Sequence, residues 1–265
     1  MIAVRRWAHR LARPTVELLL SIALLIAVWY LFLWVFGVGD FVGKKPHDVW
    51  NYLFDHPDAA ANRAELRTGL GQTLYDAVAG FVVGTGISVV VAVVFVLWRP
   101  VEQALMPFAM AIRSVPIIAM VPLIGLIWGR ELVGTIVAVS IVVFFPTLVF
   151  VMFGLRSVPP EAVELLAVYD AGRFTRLRKA LLPAAVPSLF TAARVGAPSA
   201  ILGALLCEWL LTGRGLGRLM VDSTTLSKFN RLWASAVLVM IVAMVAFTFV
   251  TAIERVVNER FRDGG

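Results

Sequence analysis

Three ionisable side chains, Arg113, Arg194 and Glu208, fall within or near the ends of long apolar runs. A charge so placed costs at least ~2.5 kcal/mol on insertion scales, so it faces a protein interior, a partner or a wet path. Together the three could attract an anion or gate a path, with Ser114, Ser140, Thr147 and Ser199 as hydroxyls able to line it. A second reading takes both arginines to the cytoplasmic interface by snorkelling and Glu208 to the outer one. Each hydroxyl would then bond a carbonyl of its own helix.

Other chemistry is poorly supported. Thr212 to Arg218, TGRGLGR, is glycine-rich but lacks G-x-x-x-x-G-K-[ST] and follows no strand, so it reads as a tight outer loop rather than a phosphate cradle. His9, His47 and His56 lack metal-ligand spacing, and no nucleophile, base and orienting group fall into a triad pattern. Cys207 is the single cysteine, which excludes an intrachain disulfide and any multi-cysteine metal site. No catalytic residue, metal or cofactor is expected in this chain.

The elements that must position these residues are membrane spans. Of 265 residues, 60% are hydrophobic and 15% charged, with a mean hydropathy of +0.87. A soluble domain of this size needs more polar surface, so lipid is the solvent. The net charge of +7 could suggest nucleic acid, but the basic residues cluster in short connections between apolar runs, where membrane topology puts them.

Hydropathy predicts an all-α integral membrane protein with six spans, about 16–38, 74–98, 105–128, 132–155, 188–211 and 232–253, forming one transmembrane domain over 1–265. The first follows Arg5, Arg6, Arg10 and Arg13 but is too long for a signal h-region and is kept as a span. Trp29, Tyr30 and Trp34 in its far half fit an interfacial belt or packing within a bundle. A short helix is expected near Asp48 to Phe54, and Asp76 reads as interfacial. Gly80 and Gly84, four apart, invite close approach of another helix. Pro107, Pro116 and Pro122 kink the third span, which is expected inside the bundle because lipid cannot satisfy the freed carbonyls. With both termini cytoplasmic, the inner segments hold 13 Lys and Arg against nine outside.

Between the fourth and fifth spans lies a long charged segment, 159–187, PPEAVELLAVYDAGRFTRLRKALLPAAVP. Pro159 and Pro160 suit a helix start, and Glu161 and Glu164 complement the dipole of its first turns. Asp170, Ala171 and Gly172 break it. Phe174, Leu177 and Leu181 then give a second short helix an apolar stripe, closed by Pro183, with Arg173, Arg176, Arg178 and Lys179 on its remaining surface. Two helices of about ten residues reach only ~15 Å each, too short to cross a bilayer. The segment could lie on anionic headgroups or dock a soluble partner.

The register Glu164, Leu165, Leu166, then Asp170, then Leu182-Pro183 resembles the EAA loop of ABC-importer permeases, with leucines in place of the two alanines and Asp170 where glycine is usual. Arg113 to Leu123 with Trp128-Gly129, Phe144-Phe145-Pro146, Leu182 to Pro187, and Glu208-Trp209-Leu210 with Gly215-Leu216-Gly217 resemble the nitrate, sulfonate, taurine and pyrimidine-precursor branch. The resemblance covers roughly 70–261. It implies a type I importer permease fold and a non-catalytic subunit of the inner membrane. It also implies docking of two cytosolic ATPase copies, which bind ATP-Mg, through Glu161, Glu164, Leu165, Leu166, Asp170, Gly172, Arg173 and Arg176. A second permease subunit, as a homodimer, and an extracytoplasmic solute-binding protein complete the implied assembly, which would carry a small polar or anionic organic solute. Arg113, Ser114, Arg194, Ser199 and Glu208 are the pathway candidates. The alternatives are a lipid-modifying membrane enzyme, which needs an acid/base or metal cluster, and an ion-coupled carrier, which needs paired intramembrane carboxylates.

Overall fold

The computed structural model describes residues 20–169 and 171–262. The basic start of the first run and Asp170 lie outside these residues. Every regular element among the described residues is helical. In chain order they are α1 (Leu20–Val35), α2 (Pro46–Trp50), which continues as a π turn at Asn51–Asp55, α3 (Ala59–Leu97), α4 (Arg99–Ser114), α5 (Ile117–Trp128), α6 (Leu132–Leu155) and α7 (Pro160–Val168). There follow α8 (Arg173–Thr212), α9 (Gly215–Thr225) and α10 (Phe229–Arg262).

Among the described residues four helices are long and apolar enough to cross a membrane: Ala59–Leu97, Leu132–Leu155, Arg173–Thr212 and Phe229–Glu259. α4 and α5 give a fifth crossing only as a pair, because they meet at 104°. The kinked third span expected from the sequence is thus two helices. Pro116 disfavours the helical conformation at the residue before it, and here Val115 is extended at φ −82°, ψ 125°. α3 starts well before its apolar part, because Ala59 to Thr73 is rich in helix-forming Ala, Glu, Leu and Arg. Hydropathy locates the membrane-crossing part of a helix, not its ends.

The chain divides into two compact units, one of residues up to Ala64 with Ser223–Ala234, the other of Glu65–Asp222 with Ser235 onward. In the first, the Trp29 and Trp233 rings stack at 5.2 Å, Phe41 meets Phe229 edge-on at 5.2 Å, and Trp233 Nε1–H donates to the Val42 carbonyl at 2.8 Å. Trp29 is therefore a packing residue, whereas Trp34 is 80% exposed. The predicted short helix is present as α2, its first turn held by the Lys45 N–H donating to the Asp48 carboxylate at 2.8 Å. Lys45 also pairs with Asp40 at 3.0 Å. The hydrogen bond and charge of Lys45 hold the Asp40 carboxyl below its ordinary range.

In the second unit α6 is the central helix, packed most extensively on α8 and also on α4 and α5. Ala138, Val139, Val143 and Leu148 on α6 are fully buried. α3 joins through the predicted small-residue seam, since a Cβ added at Gly84 would lie 2.7 Å from Ser140 Cα and one at Gly80 would collide with Val139. The close approach lets hydroxyls bond across it. Ser140 donates to the Gly80 carbonyl at 3.2 Å and Ser88 to the Phe144 carbonyl at 3.0 Å.

α8 corrects a second expectation. The helix beginning at Arg173 does not close at Pro183 but runs on as the fifth span to Thr212. Leu177–Leu181 form a π turn, with the Leu182 N–H donating to Leu177 O. A π turn shifts the hydrogen-bond register by one residue, so Pro183 with its missing N–H falls at the register change and the helix continues past it.

Candidate functional site

The segment between α6 and α8 is built to present side chains outward. α7 starts at Pro160, and its far end is closed by the Ala171 N–H donating to the Leu166 carbonyl at 3.0 Å. Gly172 is extended and caps α8, its carbonyl accepting from the Arg176 N–H at 3.0 Å. Glu161, Glu164, Gly172 and Arg173 are exposed, while Leu166 and Arg176 are half-buried. Val168 and Tyr169 are 82% and 77% exposed, and Leu165 and Phe174 are also exposed, so an apolar ridge stands beside the acidic pair with no cover from the described residues. The apolar stripe expected on the second short helix was Phe174, Leu177 and Leu181. Leu177 alone of that stripe is buried, in a cluster with Phe95, Leu148, Leu155 and Ala185. The outer ridge is therefore fixed to the spans through one buried leucine.

Glu208 is fully buried. Its carboxylate accepts from Thr73 Oγ1–H at 2.8 Å and from the Gly217 N–H at 2.8 Å, while Thr73 Oγ1 accepts from the Leu216 N–H at 3.0 Å. Gly213 and Gly215 have positive φ, 65° and 80°, and a Cβ at Gly215 would collide with the Glu208 carboxylate. TGRGLGR is a tight turn folded over that carboxylate, its glycines required by backbone conformation and contact. Asp76, which its sequence position suggests is interfacial, is enclosed by protein. It is fully buried, accepts from Gln72 Nε2 at 3.0 Å and lies 3.8 Å from the Arg214 guanidinium.

Arg194 pairs with Glu254 of α10 at 3.2 Å, and the same carboxylate accepts from Thr191 Oγ1–H at 2.7 Å. Arg113 lies over the Phe145 ring at 4.9 Å, beside the bend between α4 and α5. Ser114 and Ser199 donate to Met110 and Val195 carbonyls of their own helices at 3.0 and 2.9 Å. The structure thus does not gather the five pathway candidates into one site. Thr73, Asp76, Arg214 and Glu254 are partners that sequence reasoning missed. A lone acid in an apolar run has several readings until the distant partner is placed, and the four-residue spacing of Gln72 and Asp76 was the only local signal.

This arrangement defines a multi-pass membrane subunit carrying an ordered, outward-facing helical segment at one end of its central helices. Residues 84–263 match the family described as binding-protein-dependent transport system inner membrane component, and the chain belongs to that family. It is a permease subunit of an ABC importer and is non-catalytic, ATP hydrolysis belonging to a separate subunit. A probable ABC transporter permease of Haemophilus influenzae is 23% identical over 89% of this chain and 92% of that protein. The putative aliphatic sulfonates transport permease SsuC of Bacillus subtilis is 27% identical over 72% of this chain and 69% of its own length. The inward-facing MetNI methionine ABC transporter shares the fold, with a TM-score of 0.62 at 20% identity, over 76% of this chain and 98% of that one.

Proposed function

We propose that the whole chain acts as one permease domain, with both termini cytoplasmic, and that the 159–187 segment seats a cytosolic ATPase on each of two permease copies. The observation that carries this is the uncovered ridge of Leu165, Val168, Tyr169 and Phe174 beside Glu161 and Glu164, tied to the spans by Leu177. An apolar ridge flanked by acidic side chains fits a cleft with an apolar floor and a basic rim. Asp170, Gly172 and Arg173 border the same surface by sequence.

The second permease subunit is assigned to α4 and α5. Leu123, Leu126 and Ile127 of α5 are exposed, and α4 buries only Ala109 within this chain. A helix broken at Val115–Pro116 is poorly tolerated against lipid, so protein is the better cover. A homodimer would set the two bends, each with Arg113 and Ser114, near a shared path. The solute is proposed to be small and polar or anionic, a reading supported by Arg113 and by the sulfonate permease among the relatives, and delivered by a solute-binding protein at the outer face. ATP-Mg would bind only in the ATPase.

Co-expression with the cognate ATPase, followed by pull-down, tests the docking surface. E164R is expected to lower ATPase recovery. Equal recovery with wild type would remove this helix from the docking surface.

A further inference from the structure

A cavity of about 530 Å³ opens between the α3–α4 turn and the first turns of α8. Arg99, Arg173 and Arg176 line it, together with Trp98 and the apolar Val96, Leu97 and Leu181. The nearby Arg156 is neutralised by Glu102 at 2.5 Å. Among the described residues none supplies an ion pair to Arg99 or Arg176, and the Arg176 Nε is buried without a hydrogen-bond partner. Guanidinium groups without an ion pair from the described residues, lining a cavity with one N–H already desolvated, suit an anion offering several acceptor oxygens. The apolar lining from Val96 and Leu97 belongs to the very end of α3, where Trp98 terminates the membrane-crossing helix. An indole at that point marks headgroup level.

We propose that this cavity holds the phosphodiester headgroup of an anionic phospholipid of the cytoplasmic leaflet. Val96, Leu97 and Leu181 would lie against its glycerol and first acyl carbons. A free phosphate makes no use of that apolar wall, whereas a lipid uses both sides. The bound headgroup would bridge the end of α3 to the start of α8, the part of the chain that leads from the ATPase-docking segment into the fifth span. The assignment of leaflet rests on the proposed cytoplasmic placement of this segment; the binding itself does not.

Native mass spectrometry of the full chain, released from nanodiscs of mixed phosphatidylglycerol and phosphatidylcholine, tests the site. Wild type is expected to retain phosphatidylglycerol in preference to phosphatidylcholine. R99Q/R176Q is expected to lose about tenfold of that preference, while R178Q/K179Q, which removes equal charge outside the cavity, keeps it. If R99Q/R176Q does not yield monodisperse protein, L181E carries the same comparison by placing a carboxylate on the cavity wall. No enrichment in wild type, or equal enrichment in the cavity variant, overturns the proposal. So does displacement of the lipid by millimolar inorganic phosphate at matched ionic strength, which would reassign the cavity to a free anion. The measurement needs no ATPase, so its outcome is independent of the docking experiment.

Discussion

The Glu208 carboxylate and the Thr73 hydroxyl meet at 2.8 Å across 135 residues of sequence, both fully buried. The same carboxylate holds the Gly217 N–H, and the same hydroxyl holds the Leu216 N–H. Two side chains therefore satisfy two amides of the first turn of α9, and in doing so fasten that turn to α3 and to the end of α8.

E208A removes the acceptor from two buried donors and leaves space beneath the turn, and it is expected to destabilise the protein by about 2–4 kcal/mol. E208Q retains a carbonyl for Thr73 and Gly217 and is expected to cost less than half as much. Thermal unfolding of the detergent-solubilised variants separates the two. Equal losses would show that charge rather than hydrogen bonding holds the turn.

The α3–α6 seam makes a sharper comparison between glycines on one helix. A Cβ at Gly84 would press on Ser140 backbone at 2.7 Å, whereas nothing lies within 4 Å of one at Gly86. G84A should destabilise by about 1–3 kcal/mol through overpacking. G86A should be neutral or stabilise by up to about 1 kcal/mol through helix propensity. Matching melting shifts for the two would contradict the packing of this seam.

Arg194 and Glu254 offer a test of structure against transport. R194A strands a carboxylate that is 9% exposed, at an expected cost of about 1–3 kcal/mol because Arg194 itself is partly solvated. The exchange R194E/E254R should recover part of that stability. If Arg194 also lines the path, the exchanged protein would remain folded yet show reduced solute uptake; restored uptake would confine Arg194 to a packing role.

The glycine pair and the helix start at Pro160 were legible in the sequence because each follows from local backbone chemistry, whereas Pro116, read with Pro107 and Pro122 as a kink within one span, separates two helices. The π turn at Leu177–Leu181 was not, since a one-residue change of hydrogen-bond register carries no composition signal, and Pro183 alone reads as a stop. The burial of Asp76 and Glu254 was hidden for a different reason. Their burial depends on Arg214, Thr191 and Arg194, partners set by tertiary packing rather than by spacing.

The last prediction separates binding of an ATPase from transmission of its movement. Tyr169 is 77% exposed and touches no core cluster, so Y169A should leave stability within about 0.5 kcal/mol of wild type while lowering ATPase recovery in pull-down. Leu177 is 8% exposed and packs with Phe95, Leu148 and Leu155, so L177A should cost about 2–3 kcal/mol and leave the outer ridge intact. Recovery of the ATPase with L177A is expected to match wild type, and ATP-driven uptake by the assembled transporter to fall. A docking surface whose buried root at Leu177 is loosened can still be grasped but transmits less of the displacement imposed on it. Full uptake with L177A would mean that movement enters the spans through the backbone of α8 alone, and the lever assigned to Leu177 would have to be abandoned.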